Sequence, residues 1–327
     1  MALDTQTTPL DVLAILMPIY NDWESAVQLV GAIEHTLSTR AKTLRFVLID
    51  DESKLPPPHT LSVASPTTSV EILRLRRNLG HQRAIAIGLM HLLPQTDITA
   101  VIVMDGDGED TPEGTRILVD RFNLAGRNTA IFAQRARRTE NLIFKLFYFL
   151  FRTSHRLFIG TDVRVGNFSI LPRSHLSCLA VVPELWNHFA AAVFKSRLRI
   201  EQVPIDRGYR FTGSSHMNFI ALVAHGLSAI SVFSDIVGLR LLIASTLFAV
   251  TAALGLFAVS AMRLTTTLAI PGWATTATGF LLIVLLQALL LVFVFVFIVL
   301  HGRNTIGFLP VRDYLYFIER TERIDTH

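Results

Sequence analysis

Short apolar runs and stretches of helical spacing alternate along the first 134 positions. Residues 12–17, 46–49, 70–75, 100–104 and 130–134 read as strands, because they are brief, apolar or alternating, and bounded by polar or turn-forming residues. Residues 23–37, 83–93 and 112–124 read as helices, and the last begins with Thr111-Pro112, an N-cap followed by a first-turn proline. The order predicts an α/β fold: a mostly parallel central sheet, Rossmann-like, with helices on both faces. Ligands of such sheets bind beyond the carboxyl ends of the strands. Those ends read Pro18-Ile19-Tyr20-Asn21-Asp22, Asp50-Asp51 and Asp105-Gly106-Asp107-Gly108-Glu109-Asp110, so acids gather where a ligand belongs.

Beyond residue 139 the pattern changes. Positions 140–158 are apolar almost all round, with Asn141, Lys145, Tyr148, Arg152 and His155 or Arg156 forming one narrow polar stripe. A helix lying in a membrane interface has this character, and so does a core helix of a soluble domain. Residues 217–237 are again mostly apolar. Residues 241–262 hold no ionisable side chain, and residues 280–300 hold Gln287 as their one strongly polar residue. Each would cover about 30 Å as a helix, one hydrocarbon core. A polar stripe, expected of buried core helices of this length, is missing from both. The Thr-rich stretch 263–279 joins them into an expected transmembrane hairpin. The division expected is a catalytic domain over 1–215, an interface segment over 216–238, the hairpin over 239–302 and a tail over 303–327.

Composition agrees with membrane attachment. Of 327 residues 51% are hydrophobic and 17% charged, against about 25% charged in soluble domains. Arg240, His301, Arg303 and Arg312 flank the hairpin on its outer ends, whereas its connecting loop has only Arg263. Positive charge marks the cytoplasmic side, so the expectation is a multi-pass protein of the inner (plasma) membrane with a cytoplasmic catalytic domain. The opening MALDTQTTPL has neither a basic n-region nor an apolar h-region, which predicts no signal peptide. Cys178 is the sole cysteine, which suits a reducing compartment. The net charge of +4 fits anionic headgroups and phosphate-bearing substrates better than nucleic acid in a chain tied to a bilayer.

Asp105 and Asp107, one residue apart at a glycine-rich turn, can both reach a divalent cation, or one can hold a ribose while the other takes the metal. Hard cations such as Mg²⁺ and Mn²⁺ accept oxygen ligands beside substrate phosphates, and Glu109 is a further candidate ligand. A calcium loop is the rival reading, but its later ligands and flanking helices are missing. No histidine pair has zinc spacing and no Walker pattern occurs. His188 and His225 read as packed or hydrogen-bonded residues rather than ligands, and Trp186 as a core or interface residue.

The segments Met17-Pro18-Ile19-Tyr20-Asn21-Asp22, Asp50-Asp51, Arg77-Asn78-Leu79-Gly80 and Asp105-Gly106-Asp107 resemble, in order and spacing, the family-2 inverting glycosyltransferases of GT-A fold. The stretch from Pro204 through Arg207, Arg210, Phe211, Gly213 and Ser215 to His216 is similar to the Arg-Phe-x-Gly-x-Ser-Lys segment of polyprenyl-phosphate glycosyltransferases, the group that includes dolichol-phosphate mannose synthase. The hairpin is similar to that of the bacterial members. The resemblance implies a base pocket lined by Pro18, Tyr20 and Asp22, with Asp50 on base or ribose. It implies Asp105 and Asp107 on ribose, metal and diphosphate with Glu109 beside them, Asp107 being catalytic, and Arg210 and His216 near the phosphates. Arg135, Arg137, Arg138 and Arg207 are candidates for an acceptor phosphate, although the first three also read as a solvated or lipid-facing basic patch.

Several positions depart from the family pattern. Glu52 stands where the family has glycine, His81 and His216 where it has lysine, and Asn167 where it has aspartate. Glu184 is a substitute candidate for a catalytic base, or an ordinary first-turn acid complementing a helix dipole. A phosphate monoester, with its second pKa at about 6, is already a nucleophile at neutral pH. The expected function is therefore metal-dependent, inverting transfer of a sugar from a UDP- or GDP-linked donor to a polyprenyl phosphate. The alternatives are transfer to a lipid or glycan hydroxyl in cell-envelope polysaccharide synthesis, and a non-catalytic membrane scaffold that keeps the fold. The Gln-x-x-Arg-Trp signature of processive synthases is missing. The resemblance also leaves a homo-oligomer open.

Overall fold

The computed structural model describes residues 8–58, 61, 63–135, 165–211, 228–229, 231–265, 272–304 and 307–324. It separates into two compact units, a sheet domain that includes residues 307–324 and a pair of long helices. The stretch 140–158 and most of 217–237 lie outside the described residues.

The sheet domain opens with β1 (Leu10–Ile19), α1 (Trp23–Leu37), β2 (Ala41–Asp50), β3 (Thr68–Leu75), α2 (His81–Leu92), β4 (Ala100–Val103) and α3 (Pro112–Leu124). There follow β5 (Ala130–Arg135), β6 (Val165–Pro172), α4 (Arg173–Leu179), a 3₁₀ turn (Pro183–Trp186), α5 (Phe189–Lys195) and β7 (Ile200–Ile205). The strand order is β7-β5-β6-β4-β1-β2-β3-β8. β1 pairs in parallel with β2 and β4, β2 with β3, and β5 with β7, whereas β6 runs antiparallel between β4 and β5. Buried side chains form two layers. Leu29 and Ile33 of α1 and Phe122 of α3 cover one face; Ile85 and Leu89 of α2, Leu176 of α4 and Phe189 of α5 cover the other. The α/β sheet covered on both faces is the fold expected from the alternating pattern.

The α3 start follows its sequence signal: Thr111 Oγ1 accepts the Gly114 N–H at 3.0 Å, with Pro112 in the first turn. The chain passes from β1 to α1 and on to β2 at its side, whereas β4 enters on the opposite side of β1. The carboxyl ends of β1 and β4 therefore flank a topological switch point.

The second unit holds α6 (Ser234–Thr265) and α7 (Trp273–Asn304), packed against each other. Both exceed the expected spans of 241–262 and 280–300, and both are long and apolar enough to cross a membrane. Leu247, Phe257, Phe293 and Phe297 are each about two-thirds exposed or more. Small residues sit at the contact: Gly238, Ser245, Ala249 and Ala252 are the buried positions of α6, and a Cβ on Gly238 would lie 2.8 Å from Val299 Cγ2.

The segment after the helices is not a free tail. Residues 307–324 return to the sheet domain, form α8 (Pro310–Asp313), and add β8 (Ile318–Ile324) antiparallel to β3 at the sheet edge. Its strand signal is weak in sequence because IERTERI is polar and largely exposed, as edge strands are.

Candidate functional site

Three loops meet at the carboxyl ends of β1, β2 and β4. Asn21, just beyond β1, is left-handed at φ 61. Its N–H donates to Ser53 Oγ at 2.9 Å and its Oδ1 accepts the Lys54 N–H at 2.8 Å, tying the first loop to the second. Tyr20 is 42% exposed there, and Pro18 and Asp22 are half-buried. Asp22 is the N-cap residue of α1, but its side chain makes no cap bond.

The paired acids Asp50 and Asp51 do different work. Asp51 Oδ1 and Oδ2 accept the Leu79 and Gly80 N–H groups at 2.7 and 2.8 Å, so this carboxylate shapes the Arg77-Asn78-Leu79-Gly80 loop ahead of α2. Burial pushes its pKa up, against those bonds. Asp50 is 1% exposed; its Oδ1 accepts the Ser53 N–H at 2.8 Å and its Oδ2 has no hydrogen-bond donor among the described residues. Glu52, where the family has glycine, adopts φ 61, a conformation costing a side-chain-bearing residue about 1–2 kcal/mol. Its Oε2 accepts the Asn78 N–H at 2.7 Å, which offsets part of that strain.

The acidic turn after β4 presses against β1: a Cβ on Gly106 would lie 2.4 Å from Ile19 Cδ1 and 3.2 Å from the Pro18 carbonyl oxygen. A larger residue there would have to displace the Ile19 side chain and press on the Pro18 carbonyl. Asp110 Oδ2 accepts the Asp105 N–H at 2.9 Å, and Asp107 Oδ1 accepts the Glu109 N–H at 3.0 Å. The segment after β7 lies over this turn, with the Gly208 N–H donating to the Glu109 carbonyl and the Phe211 N–H to that of Asp107. This brings Arg210 Nη2 to 2.6 Å from Asp107 Oδ2 and pairs Arg207 with Glu109. Burial, followed by the neighbouring Asp105 charge, pushes the Asp107 pKa up, while Arg210 and Arg207 oppose the shift.

Asn167 on β6 bonds to this turn. Its Nδ2 donates to Asp105 Oδ1 at 3.4 Å, and its Oδ1 accepts from Gln82 Nε2 at 2.9 Å. Gln82 Oε1 in turn accepts the Phe189 N–H at 2.6 Å. The chain of bonds fixes the amide polarity, so residue 167 presents a donor to Asp105 and supplies no base. Sequence reasoning marked Asn167 as a departure but missed Gln82, whose role depends on packing between α2, β6 and α5.

The remaining candidates are distributed more widely. Glu184, in the 3₁₀ turn, pairs with Lys195 Nζ at 2.8 Å, and that ammonium also donates to the Val232 carbonyl. Nothing among the described contacts joins it to the acidic turn. Arg135 ends β5 opposite Ile205 by its backbone, while Arg137, Arg138, His216 and His225 lie outside the described residues. His188 is the N-cap of α5 and is 5% exposed, in keeping with a packing role.

Among the described residues no group of three His, Cys, Asp or Glu side chains forms a ready metal site. Mg²⁺ and Mn²⁺ sites in phosphate-handling enzymes need only one or two protein carboxylates, the substrate supplying the rest. Asp105 and Asp107 fit that requirement: two crowded carboxylates, one half-neutralised by arginine, favour a further cation. Glu109, engaged by Arg207, is not brought together with them as a third ligand.

A doubly wound sheet with acids from β2 and β4 at its switch point, and two arginines over the β4 turn, defines a GT-A-type glycosyltransferase domain. The chain belongs to glycosyl transferase family 2, whose pattern it matches over residues 14–180. It is similar to the undecaprenyl-phosphate 4-deoxy-4-formamido-L-arabinose transferase of Salmonella choleraesuis (strain SC-B67), 25% identical over 300 residues, covering 85% of this chain and 83% of the relative. Its fold is similar to that of Mycobacterium tuberculosis glucosyl-3-phosphoglycerate synthase. The form with Mn²⁺, UDP-glucose and phosphoglyceric acid gives a TM-score of 0.51 at 14% identity, over 70% of this chain and 80% of that one. The form with Mg²⁺ and UDP gives 0.50 at 13% identity over the same shares. The protein is thus a glycosyltransferase homologous to polyprenyl-phosphate sugar transferases.

Proposed function

We propose that this glycosyltransferase moves a sugar, with inversion, from a nucleotide diphosphate sugar to a polyprenyl phosphate at the cytoplasmic face of a membrane. The observation that carries the reading is the acidic turn gripped by Arg207 and Arg210 beside an amide, Asn167, at the position where the family has a carboxylate. A hydroxyl acceptor needs a base to remove its proton; a phosphate acceptor, ionised at neutral pH, does not. The Salmonella relative is named for an undecaprenyl-phosphate acceptor, and α6 and α7, long and apolar enough to cross a membrane, suit a lipid acceptor.

In this reading Pro18, Tyr20 and Asp22 line the base pocket and Asp50 takes a donor from base or ribose. Asp105 and Asp107 hold ribose and metal, while Glu109 pairs with Arg207 and keeps it at the turn. A bound Mg²⁺ or Mn²⁺ supplies positive charge to the diphosphate. Arg210, Arg207 and His216 add charge as the bond from the anomeric carbon to the diphosphate oxygen breaks. An acceptor phosphate oxygen forms the new bond from the opposite side, with Arg135 and Arg138 as its candidate partners. Glu184 remains a candidate base only for a hydroxyl acceptor.

The test is incubation of the full-length enzyme with Mn²⁺, undecaprenyl phosphate and a panel of UDP- and GDP-sugars, with mass detection of the lipid fraction. A glycosylated undecaprenyl phosphate from at least one donor is expected, and its loss in Asp107→Ala. Full transfer by that variant contradicts the placement of the site.

A further inference from the structure

The strand contributed by the C-terminal segment places Glu319 beside Arg74, whose other side faces Asp50. β3 and β8 pair from Val70 opposite Ile324 to Arg74 opposite Arg320; Leu75 then faces Ile318. Glu319 is therefore an extra residue, a bulge, and bulges redirect side chains out of the normal alternation. Its Oε2 lies 3.4 Å from Arg74 Nε. On the other side of the same guanidinium, Arg74 Nη1 lies 3.8 Å from Oδ2 of Asp50, the residue opposite Arg74 on β2.

That Asp50 oxygen is buried and has no hydrogen-bond donor among the described residues. Leaving such an atom unsatisfied costs about 1–3 kcal/mol, so it calls for a donor, which an ordered water or a ligand can supply. At 3.8 Å Arg74 compensates the charge of Asp50 but is beyond hydrogen-bond distance. Nearby cations are engaged elsewhere: Arg76 Nε donates to the Tyr316 carbonyl, and Arg320 pairs with Glu322.

We propose that Glu319 is a positioning residue for the donor site: it holds Arg74 back, so that Asp50 Oδ2 stays available to an N–H or O–H of the nucleotide. This rests on the nucleotide-sugar reading given above. Without Glu319, Arg74 closes onto Asp50 and competes with the nucleotide. The edge strand that follows α6 and α7 is then part of the donor site, and the hairpin cannot be removed together with everything after it without weakening nucleotide binding. Glu319 is 46% exposed, and a surface pair of this kind contributes at most about 1 kcal/mol to stability, so its loss leaves the fold intact.

The experiment is calorimetric titration of detergent-solubilised full-length protein with UDP and with GDP in the presence of Mn²⁺, alongside steady-state kinetics. Glu319→Gln and Glu319→Ala are expected to weaken nucleotide binding about three- to ten-fold. KM for the donor should rise by about the same factor while kcat stays within about twofold. The melting temperature should hold and Glu319→Asp should recover part of the affinity. Wild-type binding that the variants match overturns this inference alone. A fall in kcat with a lowered melting temperature also overturns it, in favour of a structural role. Failure of the wild-type protein to bind either nucleotide overturns the nucleotide-sugar reading and this inference with it.

Discussion

Asp51 and Gln82 show how much of the site is held by side chains bonded to neighbouring loops and amides. Asp51→Asn keeps the shape but can accept only one of the Leu79 and Gly80 N–H groups, and should cost about 1–3 kcal/mol in denaturant unfolding. The pH dependence has a definite sign. Burial raises the Asp51 pKa above its ordinary 3.8, so the folded state binds this proton more tightly than the unfolded state. That contribution is complete below the unfolded value and is lost as pH rises through the folded value. The advantage of wild type over Asp51→Asn should therefore be widest near about pH 4 and shrink toward neutrality; a gap widening with pH would contradict it. Gln82→Leu orphans the Phe189 N–H and frees the Asn167 amide. A loss of about 2 kcal/mol in stability and a marked drop in transfer are expected. The acids at the strand ends were legible in the sequence because they follow apolar runs at glycine-rich turns. Asp51 as a loop holder, Glu52 in a glycine conformation and the Gln82–Asn167 chain were not, because each depends on which loops the fold brings together.

At the scale of elements, the parallel core from β1 to β4 and its three helices followed from period and turn residues. β6, β7 and β8 did not, since their signals are short or polar and their partners lie far away in sequence: β8 pairs with β3 across roughly 250 residues. The family match ends at residue 180, so Arg207, Arg210 and β8 lie beyond it, and the two arginines were found through their local resemblance. The long helices were plain from composition, but their small-residue seam was not. Gly238→Leu would force a side chain into Val299. Close approach of small residues is the main attraction between apolar helices in lipid, so this variant should lower the detergent-solubilised melting temperature by several degrees, whereas Leu247→Phe, on an exposed face, should not.

For the whole molecule, connectivity constrains orientation. The chain leaves the sheet domain at Val232 and re-enters it at Gly307, with two long apolar helices between. If both helices cross a membrane, two crossings bring the chain back to the side it left, as the pairing of β8 with β3 requires. On the positive-inside rule, the basic residues flanking the outer helix ends predict a cytoplasmic location for that side. Cys178, exposed on α4, provides a natural reporter. A membrane-impermeant maleimide should label it in inverted vesicles and spare it in sealed right-side-out vesicles; the reverse pattern would place the sheet domain outside.

The central claim is that the acceptor nucleophile is a phosphate, already ionised. It is tested most directly by offering the wild-type enzyme, with Mn²⁺ and its nucleotide sugar, undecaprenyl phosphate and undecaprenol side by side. Transfer to the phosphate alone, as an acid-labile glycosyl phosphodiester, is the predicted result. Equal or preferred transfer to the alcohol would contradict it.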